Sequence, residues 1–485
     1  MYMRGLLGYL PANIIQGVVG VLTILVFTNL LTPKEYGIFA LALSLFSFAH
    51  VILFTWVEAA MARYWQAQKS MEELANLYTT LYRCIAVLSL VYLPLVSLLA
   101  FFLPIKEELR WPVIIGLVGI PLRCLMIVTK EGMRARGAVG PAVAVDISYT
   151  LSIFLIGLGA IMLGMGAAGP MIGFLIAPIL LIPFALPLER RFAKNGHYDR
   201  GKAKQAFMYG VPVAIALGMA TVLSSTDRFV IAYFMDEAAV GAYHASYSIA
   251  NRTLDIMFIW LGAAGVPAMI AALEKGGTKS LEDAAAEQFR TLMLLTMPAA
   301  VGVALVAKPL AEVLIGPAMR TEAASVTPMI AAASLLAGLL YYYFNQAFVL
   351  AKRTDLLLLT MALPAVSNIA LNIILIPSMG LYGAALATIL SFVIAIASSM
   401  LMARSHIKMP VQFKPVAQCA VCCLFMAGAV LALPEMKGVI DLIVSASVGA
   451  TVYGLCAYVI DAAGVRDLIK RLTHTVSDRK KTANA

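Results

Sequence analysis

Charge is what this chain most lacks. Asp, Glu, Lys and Arg make up 13% of 485 residues, against 61% hydrophobic residues, where an ordinary soluble domain is about a quarter charged. With a mean hydropathy of +0.89, the composition excludes a water-soluble globule. Long polar connections are missing too, so no soluble domain of useful size lies between the apolar runs and any chemistry has to occur in a membrane bundle. No P-loop, H-E-x-x-H or G-x-S-x-G occurs, which leaves ATP use and familiar hydrolysis without support. Only Arg4 precedes the first apolar run, which is too long for a signal-peptide core, lacks a small-residue cleavage site and reads as a retained span. The six cysteines (Cys84, Cys124, Cys419, Cys422, Cys423 and Cys456) all lie inside apolar runs. They read as small buried hydrophobes, even though Cys419 and Cys422 form a C-x-x-C.

What is present is a succession of apolar runs of membrane-spanning length. Spans are expected near 6–31, 36–62, 79–103, 112–130, 141–163, 170–188, 208–234, 240–270, 290–315, 325–350, 355–377, 381–403, 416–433 and 438–460. The expected class is therefore an all-α polytopic membrane protein of about fourteen transmembrane helices.

The connections alternate between two classes, and most of the 36 basic residues fall in one of them. That class carries Arg4; Arg63, Lys69 and Arg83; Lys130, Arg134 and Arg136; the cluster Arg190, Arg191, Lys194, Arg200, Lys202 and Lys204; Lys275, Lys279 and Arg290; Lys352 and Arg353; Arg404, Lys408 and Lys414; and a tail with Arg466, Lys470, Arg471, Arg479, Lys480 and Lys481. The other class holds Lys34, Lys106, Arg110, Arg320 and Lys437. The positive-inside rule places the rich class in the cytoplasm, with both termini inside. This asymmetry accounts for the formal charge of +10 without a nucleic-acid partner. Segment 189–204 acts mainly as a topology determinant, with contact to anionic lipid as the alternative.

Several stretches repeat. Glu35-Tyr36-Gly37-Ile38-Phe39, followed by Ser44, is echoed by Ala239-Val240-Gly241-Ala242-Tyr243, followed by Ser248; Pro11 is echoed by Pro212; and Gly166-x-x-Gly169 is echoed by Gly380-x-x-Gly383. Two six-helix halves of like orientation follow, related by an axis along the membrane normal. The expected organisation is an N-terminal lobe 1–188, a basic cytoplasmic linker 189–207, a second lobe 208–403, two extra helices in 404–461 and a basic cytoplasmic tail 462–485.

Three segments carry a family resemblance. They are Asn29 to Ala40, reading NLLTPKEYGIFA; Asp227 to Phe234, reading DRFVIAYF, with Val240-Gly241-Ala242-Tyr243; and Asn368 to Pro377, reading NIALNIILIP, with Gly380 to Thr388. They resemble the polysaccharide-unit flippases that serve O-antigen and exopolysaccharide synthesis, within the multidrug/oligosaccharidyl-lipid/polysaccharide superfamily. The resemblance implies a V-shaped pair of six-helix lobes with two additional C-terminal helices forming a lipid-side groove. It also implies transport of undecaprenyl-diphosphate-linked oligosaccharide from the cytoplasmic to the periplasmic leaflet of a bacterial inner membrane. The lipid-linked glycan and membrane lipid are then the partners, with a polysaccharide polymerase and export machinery nearby, and no cofactor is called for.

A charge at mid-bilayer costs at least about 2.5 kcal/mol, so each one in a span asks for a reason. The diphosphate that the resemblance implies needs cations facing a wet cavity, and Arg suits it best because its fork pairs with phosphate oxygens. Arg123, Arg228, Arg252 and Lys308 are the basic residues placed within spans and are assigned to substrate binding. Arg123 leads, having no acidic neighbour in its own helix; Arg252 and Asp255, at i,i+3, could equally neutralise each other, and Lys308 could snorkel outward. Glu58, Asp146, Asp227 and Asp255 are candidates for charge pairing or for coupling to H+ or Na+; His50 either titrates or packs through a hydrogen bond. Membrane potential acting on the substrate's charge is a further drive. The run Tyr341-Tyr342-Tyr343-Phe344-Asn345-Gln346 offers sugar-stacking rings, although consecutive positions point all round a helix and packing is the plainer role.

Three other functions stay open. A multidrug or cation exporter of the related toxin-extrusion family would favour acidic cavity residues, a lipid II flippase shares the diphosphate, and a membrane polymerase or ligase enzyme would need a sizeable outer loop.

Overall fold

In hydrocarbon every backbone polar group has to be bonded within its own segment, so long apolar runs become helices. The computed structural model describes residues 2–102, 106–351, 353, 355–467 and 470, and it is helical, with no strand among the described residues. Lys352, Arg471, Arg479, Lys480 and Lys481 lie outside that range, as does the Arg4 side chain.

The chain divides into two compact units, Met1–His244 and Ala245–Ala485. The first holds α1 (Tyr2–Leu30), α2 (Pro33–Leu53), α3 (Thr55–Tyr64), α4 (Met71–Phe102), α5 (Glu107–Ala135), α6 (Val139–Met162), α7 (Ala168–Arg190), α8 (Arg200–Phe234) and the start of α9 (Glu237–Leu305). The second holds the rest of α9, then α10 (Ala307–Leu314), α11 (Arg320–Leu339), α12 (Gln346–Leu350), α13 (Asp355–Met379), α14 (Leu381–Ala403), α15 (Phe413–Leu431) and α16 (Gly438–Ile460). Among the described residues thirteen helical stretches are long and apolar enough to cross a membrane. One of them, α9, runs for 69 residues with a break at Gly277 (φ 70°, ψ −160°) and contains the span expected at 240–270 and the first part of that expected at 290–315. The stretch from Glu237 to Gly277 is roughly 60 Å long at 1.5 Å per residue, twice the hydrocarbon thickness.

The repeated motifs acquire physical reasons. Thr32 caps α2 in a reciprocal box: its Oγ1 accepts from the Glu35 amide at 3.2 Å, and Glu35 Oε2 accepts from the Thr32 amide at 2.9 Å, with Pro33 in the first turn. That cap satisfies two orphan donors of the helix start. Gly166 and Gly380 share a positive φ (49° and 56°). Gly169 and Gly383, three residues on, lie against the preceding helix: an added Cβ would stand 2.9 Å from the Ile161 amide nitrogen in one case and 2.4 Å from the Leu375 carbonyl in the other.

Within the first unit α2 and α3 pack on both α5 and α8, while α7 packs on α5 and α6. Of segment 189–207 only residues 191–199 lie outside α7 and α8. This stretch is fastened to α4: the His197 amide donates to Asn76 Oδ1 (2.7 Å), the Asp199 amide to Thr80 Oγ1 (3.0 Å), and Phe192 stacks on Tyr78. In the second unit, α9 packs with α15 and α16 around Phe289, Cys419, Cys422, Met426 and Tyr453, and the Tyr453 hydroxyl donates to the Leu294 carbonyl at 2.8 Å. Cys419, Cys422 and Cys423 are buried here and Cys124 in the first unit; Cys84 and Cys456 are half-buried, and all six are free thiols. The aromatic run opens into a π turn at Leu340–Phe344, where Tyr343 is buried and donates to the Pro410 carbonyl, Tyr342 stacks on Phe258 and Tyr341 meets Phe392 edge-on. Those rings are occupied in packing.

A buried polar cluster in the first unit as the candidate functional site

The span expected at 36–62 is not one helix. It breaks at Phe54 (φ −120°, ψ −25°) between α2 and α3. In an unbroken helix His50 and Glu58 would be about 12 Å apart along the axis. Across the break His50 Nε2 comes to 2.7 Å from Glu58 Oε1, and both side chains are at least nine-tenths buried. A broken transmembrane helix is tolerated where it is buried in protein or lines a cavity, and such breaks recur at transport sites.

Arg123 of α5 projects beside that pair. Its guanidinium carbon lies 5.3 Å from the centre of the Phe46 ring, and Phe46 in turn contacts His50 and Phe174. Such an arrangement holds a cation by the ring's negative face. Among the described residues Arg123 has no carboxylate partner, and its buried Nε has no hydrogen bond. Tyr149 of α6 faces the guanidinium and also has a buried hydroxyl without a partner. Unsatisfied buried donors are costly and uncommon, and these two converge on one place. Glu58 reaches Cys124 and lies within electrostatic range of Tyr149.

The remaining sequence-derived residues lie elsewhere. Asp146 is 3% exposed and held by Lys130 (2.7 Å) and Arg134 (2.8 Å). Asp227 is fully buried; it accepts from the Tyr243 hydroxyl at 2.7 Å and from the Arg228 amide at 2.8 Å, while Arg228 Nη1 donates to the Ser224 carbonyl at 3.0 Å. In the second unit Asp255 accepts from Asn251 at 2.6 Å, and Arg252 is exposed on α9. Lys308 is exposed in the first turn of α10, because the helix expected over 290–315 stops and restarts at Val306. The cluster thus gathers Arg123, Glu58 and His50 and leaves the others apart.

Two features escaped the reading of the sequence. Glu189, counted there with a basic linker, is fully buried and accepts from the Tyr78 hydroxyl (2.5 Å) and Arg136 Nε (2.8 Å). Asn368 and Asn372 of α13, quoted only for their resemblance, are fully buried, and Asn372 Nδ2 donates to Asn368 Oδ1 at 3.0 Å. Their i,i+4 spacing on one helix face was the signal available.

These helices define a multi-pass membrane protein. Solved structures with this fold include lipid II flippase MurJ in an inward closed conformation, at 16% identity with a TM-score of 0.76 over 95% of this chain and 99% of that one. An inward-facing multidrug resistance MATE transporter of the MOP superfamily gives 0.61, also at 16% identity, over 81% and 93%. The chain belongs to the polysaccharide biosynthesis protein family, whose model matches residues 26–321. A curated relative, the probable low-salt glycan biosynthesis flippase Agl15 of Haloferax volcanii, is 25% identical over 218 residues; the match covers 45% of each protein, so the chain spans about half the length of that relative.

Proposed function

We propose that the protein is a flippase carrying undecaprenyl-diphosphate-linked oligosaccharide units from the cytoplasmic to the periplasmic leaflet of a bacterial inner membrane, by alternating access, for surface polysaccharide synthesis. The observation that carries this reading is Arg123: a guanidinium with no carboxylate partner among the described residues, held on an aromatic face inside a membrane bundle. Retaining such a charge is expensive unless a mobile anion uses it, and a diphosphate matches a guanidinium in both charge and geometry. Arg252 is exposed on α9 in the second unit and is a separate candidate cation for an anionic group. Arg228 and Lys308 stand further from the role, the first bonded to backbone and the second placed to snorkel. An apolar cavity of about 380 Å³ in the second unit, between α9 and the α15–α16 pair and lined by Leu294, Pro298, Val303, Met426 and Tyr453, suits a stretch of isoprenoid chain.

Both termini are cytoplasmic in this reading, and a polymerase and export machinery receive the product. No residue is assigned to catalysis. His50, Glu58 and Asp255 remain the groups available for H+ or Na+ coupling; Asp146 and Asp227 are engaged in pairing and anchoring. The test is deletion of the gene followed by analysis of surface polysaccharides and of lipid-linked intermediates. Loss of one polysaccharide with its lipid-linked unit accumulating on the inner leaflet supports the reading. Unchanged polysaccharides with arrested cell-wall synthesis point to lipid II instead, and no change in either overturns it.

A further inference from the structure

The buried cluster raises a question of charge. Glu58 shares a confined site with Arg123, yet the two are not paired. In so dry a place a carboxylate within reach of a guanidinium would pair with it and take the donors that a ligand needs. What prevents this is visible: the His50 ring holds Glu58 Oε1 at 2.7 Å, a contact that the helix break at Phe54 makes possible. The guanidinium meanwhile rests on Phe46, whose ring also touches His50. Facing these groups are the Cys124 thiol and the Tyr149 phenol; the phenol oxygen lies against the Arg123 guanidinium, and its buried hydroxyl makes no well-formed hydrogen bond.

We propose that Arg123 and Tyr149 together form a two-donor seat for one phosphate of the lipid-linked substrate, and that His50 is a positioning residue that keeps the seat open by holding Glu58 away from Arg123. Tyr149 donates its hydroxyl to a phosphate oxygen, while Arg123 supplies charge and its Nε–H. Arg123 Nε and the Tyr149 hydroxyl make no well-formed hydrogen bond, and only their loose mutual contact has to give way, so an acceptor-rich anion gains two bonds there. A cationic ligand would find two donors aimed at it and one carboxylate already engaged. The proposal rests on the reading of the protein as a carrier of diphosphate-linked lipid, and it adds Tyr149 and the guarding role of His50 to that reading.

The experiment uses full-length protein in lipid nanodiscs, with undecaprenyl diphosphate and undecaprenol as probes and folding checked by thermal unfolding. The wild type is expected to prefer undecaprenyl diphosphate. Tyr149→Phe, which keeps the ring, weakens diphosphate binding by about tenfold, the worth of one hydrogen bond to a charged group. His50→Leu weakens it at least as much, because Glu58 is released onto Arg123. His50→Leu/Glu58→Gln recovers most of that loss. A purely structural role for His50 gives no such recovery. Wild-type affinity in Tyr149→Phe, or a double variant no better than His50→Leu, overturns the seat; should His50→Leu fail to fold, Tyr149→Phe decides the matter. A wild-type protein that binds undecaprenol as well as the diphosphate overturns the carrier reading itself.

Discussion

Gly37 lies directly against the start of α9, beside Gly241, the residue that the internal repeat makes its counterpart. Each is the fifth residue of its helix, and a Cβ on Gly37 would stand 1.6 Å from the Glu237 carbonyl oxygen and 3.0 Å from the Gly241 amide nitrogen. No rotation of a side chain relieves a clash with backbone, so the two helix starts touch only while position 37 is bare. The neighbouring repeat residues complete the contact: the Phe39 and Tyr36 rings pack on His244, and Tyr243 is fully buried.

Gly37→Ala is therefore expected to destabilise the first unit by about 1 to 3 kcal/mol, the usual cost of overpacking, and to impair complementation. Gly17→Ala serves as the control. Gly17 has nothing within 4 Å of an added Cβ, so alanine there should be neutral or stabilising by up to about 1 kcal/mol through helix propensity. Thermal unfolding in detergent reads both; equal behaviour of the two variants would remove the close-contact explanation.

Glu189 should prove structural. Its carboxylate is fully buried between Tyr78 and Arg136, and a Cβ added at Gly132 would sit 2.4 Å from the Tyr78 hydroxyl and 2.9 Å from Glu189 Oε2. Glu189→Ala leaves Arg136 without its partner and costs about 3 kcal/mol. The measurement is membrane abundance together with unfolding temperature, both expected to fall, with transport per surviving molecule unchanged.

Asp146 and Asp255 should respond differently to loss of charge. Asp146→Asn breaks two ion pairs, to Lys130 and Arg134, at a cost of about 2 kcal/mol after allowance for the exposed part of Arg134. Asp255→Asn exchanges one hydrogen-bonded partner of Asn251 for another and should move the unfolding temperature little. If Asp255→Asn nevertheless stops flipping, Asp255 is a coupling residue; intact flipping withdraws it from that role.

Tyr243→Phe isolates the anchor of Asp227. Both residues are fully buried and joined at 2.7 Å, so losing the hydroxyl leaves a carboxylate short of a donor and costs about 1.5 to 3 kcal/mol. Chemical denaturation of the purified protein measures it, and a change below about 0.5 kcal/mol, the scale of an unremarkable surface substitution, argues against the anchoring role.

Much of this architecture could be read from periodicity and composition. The spans expected at 381–403 and 438–460 coincide with α14 and α16, because hydrocarbon length alone sets such edges. Helix ends that leave the bilayer were not legible: α4 begins at Met71 and α8 at Arg200, where polar residues continue the helix and hydropathy falls silent. The break at Phe54 was hidden for a different reason. No proline or glycine marks it, and the residues on either side are as apolar as any intact helix, so His50 and Glu58 did not read as neighbours. Charge also says little about burial. Glu189 and Lys130 looked like members of polar connections, yet one is fully buried and the other neutralises a carboxylate inside the bundle. Arg123 was legible because its own helix offers no acid in reach, a property that needs only the sequence.

The most direct measurement is the rate at which a reconstituted protein flips a fluorescent undecaprenyl-diphosphate-linked sugar across liposomes, compared between wild type, Arg123→Lys and Arg123→Gln at equal protein content. Arg123→Gln should lose at least about 99% of the rate, as expected when a charge-assisted pair of hydrogen bonds is removed, with Arg123→Lys in between because a point charge replaces the planar fork. Full-rate flipping by Arg123→Gln would contradict a phosphate-binding role for the guanidinium that rests on Phe46 beside His50 and Glu58.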